Sequence, residues 1–100
     1  MTAEVAEKSI KTIAGSNLKI QSGIINTTGN TAGVEVNWEF DEPFDSPPIV
    51  VLTAMRPDKL VNWYARLKTR SATGFTMVCF GDNTTAYSIA VMWLAIGTKI

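Results

Sequence analysis

From Leu18 onward the hydrophobic pattern of this chain has a period of two, and turn-forming residues interrupt it at short intervals. Val34, Val36, Trp38 and Phe40 alternate with Glu35, Asn37 and Glu39; Val61, Trp63, Ala65 and Leu67 alternate with Asn62, Tyr64, Arg66 and Lys68. Successive side chains of a strand point to opposite faces, so this alternation describes strands with one dry face and one wet face, and it does not fit the 3.6-residue period of a helix. Six strands are expected, over residues 18–26, 34–40, 48–55, 61–68, 75–80 and 87–96. Between them lie Thr27-Thr28-Gly29-Asn30-Thr31, Arg56-Pro57-Asp58, Thr73-Gly74 and Gly81-Asp82-Asn83-Thr84, all rich in turn formers. Pro43, Pro47 and Pro48 cannot donate to a sheet ladder, which puts the 41–48 connection outside a central strand. Short strands at even spacing specify an antiparallel β-sandwich or barrel and not βαβ units. The 100 residues suffice for one compact domain.

Residues 1–17 follow a different rule. Ala3, Ala6, Ile10 and Ile13 recur at heptad-like steps, and Glu4 and Glu7 each precede a lysine, Lys8 and Lys11, by four residues. The pattern predicts a short helical or extended segment ended by Gly15-Ser16-Asn17, serving as a terminal element or as an attachment to a partner. The chain therefore divides into an N-terminal attachment segment, 1–17, and a β-sandwich domain, 18–100.

Two strands are apolar on both faces. In the last, Tyr87, Ile89, Val91, Trp93 and Ala95 point one way, and Ala90, Met92, Leu94 and Ile96 the other. The strand over 48–55 reads PIVVLTAM. A small antiparallel sandwich usually keeps one face of each sheet in water, so a second apolar face calls for another cover, and a further subunit supplies one.

Counts narrow the function. Lys+Arg and Asp+Glu are 9 each, for a net charge of zero, and no run of one sign occurs; nucleic acid is not an expected partner. There is no histidine, which removes Ser-His-Asp and Cys-His catalysis and His-ligated zinc. The single cysteine, Cys79, lies in an apolar strand and reads as an inert buried thiol. No segment has the ~18 consecutive apolar residues of a membrane span, and the first residues carry acids in place of a signal-peptide core. The expected protein is made in the cytoplasm and leaves it, if at all, by assembly into a particle or by lysis. No cofactor and no catalysis are expected. The acids Asp41, Glu42 and Asp45 lack a calcium-loop spacing and read as a solvated loop.

Read together, several segments resemble the H-type lectin family, the snail agglutinin and discoidin C-terminal type of domain. They are Ile20-Gln21-Ser22-Gly23; Phe40-Asp41-Glu42-Pro43-Phe44 followed by Pro47-Pro48-Ile49-Val50-Val51-Leu52; Ala65-Arg66-Leu67; Thr73-Gly74-Phe75; and Trp93-Leu94-Ala95-Ile96. They occur in the family's order and cover about residues 19–97. The resemblance implies a six-stranded antiparallel sandwich assembling as a trimer and binding sugar near subunit boundaries, with galactose or N-acetylgalactosamine preferred by animal members. Tyr87 matches the family's sugar-contacting tyrosine. The contacting arginine falls on Asn62, and an aromatic–histidine pair falls on Gly81-Asp82-Asn83, both departures. The acidic contact lies in a longer first loop, here reduced to residues 27–31. The animal disulfide is absent: Cys79 matches one partner and Thr27 stands at the other. These departures fit a bacterial or bacteriophage version.

Sugar recognition needs planar polar groups for hydroxyls and an aromatic face for the C–H side of a ring. Asn62, Tyr64, Asp82, Asn83 and Tyr87 are the candidate carbohydrate-binding residues. Trp38, Trp63 and Trp93 lie on apolar stripes and are assigned to the core. Arg66 is either a wet-face charge or an interface charge paired with a carboxylate such as Glu39. Two functions follow. One is a trimeric carbohydrate-binding module recognising a cell-surface glycan, a galactoside or a bacterial surface polysaccharide, within a phage fibre or adhesion device. The alternative is a trimeric virion or tail protein that keeps the fold without binding sugar. In either case residues 1–17 are a candidate attachment to a larger virion or fibre protein.

Overall fold

The computed structural model describes residues 4–12, 15–55, 63–82 and 84–100. They form seven strands: β1 (Glu4–Thr12), β2 (Leu18–Gly29), β3 (Val34–Glu39), β4 (Ile49–Met55), β5 (Tyr64–Arg70), β6 (Gly74–Phe80) and β7 (Tyr87–Thr98). Two sheets result, one in the order β1-β2-β7-β4 and one in the order β3-β6-β5, and every neighbouring pair is antiparallel. After β2 the chain crosses between the sheets repeatedly, and among the later strands only β5 and β6 are consecutive and adjacent.

The expected antiparallel two-sheet architecture is present, with one strand more than predicted. The helical reading of the N-terminal segment is corrected: β1 is extended and runs from Glu4 opposite Asn26 to Thr12 opposite Lys19. The reason is the free edge of β2. An isolated helix of ~13 residues is marginal in water, whereas the edge offers backbone partners to an extended segment. Lys8 closes the contact with an ion pair to Asp41, 2.6 Å. The first predicted loop is shorter than expected, because Thr27, Thr28 and Gly29 continue β2 opposite Ile89, Ser88 and Tyr87. Pairing with β7 overrides the turn character of these residues.

The core lies between the sheets. Ile25, Val36, Phe40, Phe44, Phe75, Met77, Cys79, Ile89, Val91, Trp93 and Ala95 are buried, with Trp38 and Trp63 packed against them. Phe40 is the hub at one end: its ring centroid lies 5.1 Å from that of Phe44, 5.9 Å from Phe75 and 5.8 Å from Trp93. The proline-rich connection is stitched down beside this hub. Phe40 and Phe44 donate backbone hydrogen bonds to Thr73 and Ala72, Asp45 donates to Thr98, and Arg70 Nη1 donates to the carbonyls of Pro47 and Pro48.

The outward faces of the sheets differ in chemistry. Register places Ile49 and Ile20 beside Ile96, Val51 beside Leu94, and Ile24 beside Met92 on the outer face of the first sheet. Ile49 is 68% exposed and Val51 54%, so a contiguous apolar surface faces outward. The second sheet turns Glu35, Asn37, Arg66, Lys68, Thr69 and Thr76 outward, with Lys68 paired to Glu35 at 3.0 Å. Arg66 is exposed in the single chain. It stands opposite Val78, whereas Glu39 stands opposite Gly74, four residues away along β6, so the two are not paired within one chain.

Candidate functional site

The end of the sandwich where β2 and β6 finish and β7 begins gathers the described candidate residues. Asn30 organises it. Its carbonyl accepts from Gly81 at 3.0 Å and from Gly33 at 3.2 Å, and its side-chain Oδ1 accepts from Gly33 at 2.8 Å. This is the local turn chemistry of an asparagine three residues before a glycine. Gly33 has φ +94°, and a Cβ there would stand 2.7 Å from Val78 Cγ1 and 2.9 Å from Phe80 Cε1, so only glycine fits the close turn. The bond from Gly81 to Asn30 ties the β6–β7 connection to the β2–β3 connection, which fixes where Asp82 is presented.

Two aromatic pairs are built on this frame. Tyr87 opens β7 opposite Gly29 and is 40% exposed; its ring stands edge-on to Trp63 at 6.2 Å and 86°. The indole of Trp63 lies directly over Gly81, in the space a Cβ at 81 would occupy. Tyr64 is 48% exposed and lies flat on Phe80, with centroids 4.9 Å apart and planes 19° apart. Offset stacking and edge-to-face packing are the favoured geometries of aromatic pairs, so both tyrosines are pre-positioned with an exposed surface remaining.

Tyr87 meets Trp63, and Trp63 lies over Gly81, the residue before Asp82. Tyr64 lies one residue beyond Trp63, on the outward face of the second sheet. Asp82 is exposed. Asn62 and Asn83, the remaining candidates, lie outside the described residues. Sequence reasoning missed the supporting roles of Asn30 and Phe80. The Asn-x-x-Gly spacing of residues 30–33 is the signal for the first. For the second there is none, because the pairing of Phe80 with Tyr64 is a matter of register.

Chemically, the arrangement offers aromatic faces and a carboxylate acceptor. Among the described residues no group of three His, Cys, Asp or Glu side chains could hold a metal ion. Asp41 and Glu42 are engaged by Lys8 and Lys19, at 2.6 and 3.5 Å. Cys79 is fully buried, and burial pushes its thiol up to about 11. Thr27, at the other position of the animal disulfide, is buried as well.

No protein-family model matches the chain, and no curated protein matches it in sequence. Its fold is that of three solved structures. A C-terminal portion of the R1 pyocin fibre of Pseudomonas aeruginosa matches with TM-score 0.65 and 20% identity, over 80% of this chain and 23% of that one. The tailspike protein gp49 of Pseudomonas phage LKA1 matches with TM-score 0.66 and 19% identity, over 83% of this chain and 15% of that one. An N-truncated R1-type pyocin tail fibre matches with TM-score 0.66 and 16% identity, over 93% of this chain and 87% of that one. The chain thus spans less than a quarter of the first two. At these identities the likeness is one of fold, and the H-type lectin resemblance rests on the sequence segments quoted above.

Proposed function

We propose that this chain is a carbohydrate-binding module of a phage-type fibre, H-type-lectin-like, assembled as a homotrimer and directed at a cell-surface glycan. The observation that carries the reading is the paired presentation of Tyr87 on Trp63 and Tyr64 on Phe80, with both tyrosines exposed. Rigid exposed aromatics next to polar acceptors suit the alternating C–H and hydroxyl faces of a sugar ring. The fold likeness to fibre and tailspike proteins supports virion association. In this reading Tyr87, Asp82 and Tyr64, with Asn62 and Asn83, contact the sugar, a galactoside or a bacterial surface polysaccharide. The outer face of the β1-β2-β7-β4 sheet is buried between copies, and residues 1–17 join the module to a larger fibre protein. Three weak sites on one trimer then act together through effective concentration.

The second reading, a structural virion protein of the same fold, draws on that apolar outer face, which serves assembly whether or not sugar is bound. A glycan array of galactosides and bacterial surface polysaccharides, probed with the full chain, separates the two. Binding that free sugar displaces and that Tyr87→Ala abolishes supports the lectin reading. Silence from a protein shown to be folded overturns it in favour of the structural one.

A further inference from the structure

The outer face of the β3-β6-β5 sheet is polar along its length but ends in an aromatic step, the stacked pair of Tyr64 and Phe80. Next to this step, two residues along β5 and opposite Val78, stands Arg66, which is exposed. Its neighbour Lys68 is neutralised by Glu35 at 3.0 Å, but Arg66 has no ion-pair or hydrogen-bond partner among the described residues. Further along the same face an open depression of about 180 Å³ is lined by Asn37, Thr69 and Thr76, with the exposed carboxylate of Glu39 beside them. There Thr76 Oγ1 donates to Asn37 Oδ1 at 2.7 Å, which leaves the Nδ2 hydrogens of Asn37 without a partner among the described residues. From Phe80 to Thr76 is four residues of β6, a length of about 13 Å at the strand rise.

We infer that this face is an elongated binding surface for an acidic polysaccharide, with a sugar ring on Tyr64, a carboxylate on Arg66 and hydroxyls in the Asn37–Thr76 depression. A guanidinium presents a planar fork that matches a carboxylate, which places the acidic group of the ligand at the aromatic end of the face, away from the exposed Glu39. The lining beyond it, amides and hydroxyls with the Glu39 carboxylate, accepts from sugar hydroxyls and repels a second anion, and among the described residues the face has no cluster of cations, which disfavours nucleic acid. A chain with acidic units and ordinary hydroxyls between them fits both parts. The inference shares with the proposed function the view that the module is glycan-directed and the residue Tyr64; Arg66 and the Asn37–Thr76 depression lie on a different surface from the Tyr87–Asp82 end.

The test is isothermal titration calorimetry of the full chain with fragments of three polyuronates, oligogalacturonate, alginate and hyaluronan, each compared with its carboxyl-reduced counterpart. Binding of at least one acid form is expected, with the reduced form weaker. Arg66→Ala should weaken binding on the order of tenfold or more, the size of a lost charge-assisted hydrogen bond. Arg66→Lys should retain part of it, and Tyr64→Ala should weaken it while Tyr64→Phe does not. Lys11→Ala removes an equal charge from β1 and should leave affinity within experimental error. No binding of any of the three acids overturns the inference. So does an equal loss in Arg66→Ala and Lys11→Ala, which would mean unspecific charge attraction. Binding lost in Tyr87→Ala but kept in Arg66→Ala also overturns it, and transfers the ligand to the loop-end site. Tyr87-dependent binding of neutral galactosides, tested separately, reports on the proposed function alone.

Discussion

The side-chain amide of Gln21 grips the backbone of Glu42 from both sides: its Nε2 donates to the Glu42 carbonyl at 2.7 Å, and its Oε1 accepts from the Glu42 N–H at 3.4 Å. Gln21 is 1% exposed. Beside it Lys19, also buried, donates to the Pro43 carbonyl at 2.7 Å and lies 5.0 Å from the Phe44 ring centroid. Two polar residues on the core face of β2 thus hold the 41–44 crossing, in which prolines and turns leave the backbone few ladder partners. Gln21→Ala removes both bonds and leaves two backbone groups to find water. Urea denaturation should show a loss of about 2–4 kcal/mol, the sum of two partners left unsatisfied near the core. A loss below about 0.5 kcal/mol, the range of surface substitutions, would mean the crossing is held by its other bonds.

The Cys79 thiol gives the protein a defined alkaline limit. In the native state it ionises only at about 11, because burial disfavours the thiolate, whereas the unfolded thiol ionises at its ordinary value of 9.0. The stability associated with the neutral thiol is fully present below pH 9. Between pH 9 and 11 the unfolded chain binds fewer protons than the native one, so stability falls as pH rises. Two units of pH correspond to about 2.7 kcal/mol. Thermal unfolding of the parent and of Cys79→Ala at pH 8 and pH 11 isolates this contribution from tyrosine and lysine titration: the gap between the two proteins should narrow or invert at high pH. The same burial predicts no reaction with a thiol reagent at pH 8 until the protein is unfolded. Rapid labelling of native protein would contradict it.

The alternation of Val34–Phe40 was enough to place β3, and the doubly apolar character of Ile49–Met55 and Tyr87–Ile96 foretold the bare outer face of the first sheet. These features are legible because side-chain period and burial are local properties of a strand. For β1 the sequence leaves helix and extended strand open, because its helical spacing competes with an edge of β2 that exists only after folding. Asp82 and Tyr87 were placed in the site on resemblance. The Trp63 ring that Tyr87 meets lies over Gly81 through a contact between residues 18 positions apart, which no local pattern reports. Phe80 as the bed for Tyr64 was hidden for the same reason: β5 and β6 register through a bulge between Leu67 and Thr69.

The apolar outer face predicts a charge-sensitive assembly. Val51 stands opposite Leu94 with Ile49 and Met55 on the same side of β4, all exposed in the single chain. Burying each such side chain in a subunit interface is worth about 1.5–3 kcal/mol. Val51→Glu places a carboxylate in the middle of that face at little expense to the monomer, since the position is exposed there. Light scattering at micromolar concentration should read three copies for the parent and one for the variant, with unchanged far-ultraviolet circular dichroism. A monomeric parent removes the trimer; a trimeric Val51→Glu protein moves the interface to another surface.

Gly81 carries the last prediction. A methyl group there would sit inside the benzo ring of Trp63, so Gly81→Ala must push the indole away, and Tyr87 loses its edge-on partner. The strain of overpacking is about 1–3 kcal/mol, and it falls at the site end, far from the Phe40 hub. The expected protein keeps its far-ultraviolet spectrum, loses near-ultraviolet aromatic signal, and binds glycan more weakly than the parent. Trp63→Phe provides the control, because a phenyl ring lacks the outer part of the indole that the methyl meets. If the clash is the cause, Gly81→Ala should be less harmful in the Trp63→Phe background, with a coupling between the two sites of about 1 kcal/mol in a double-mutant cycle. Strictly additive losses would show that Gly81 is required for its backbone, through the bond to Asn30, and not for the room it gives Trp63.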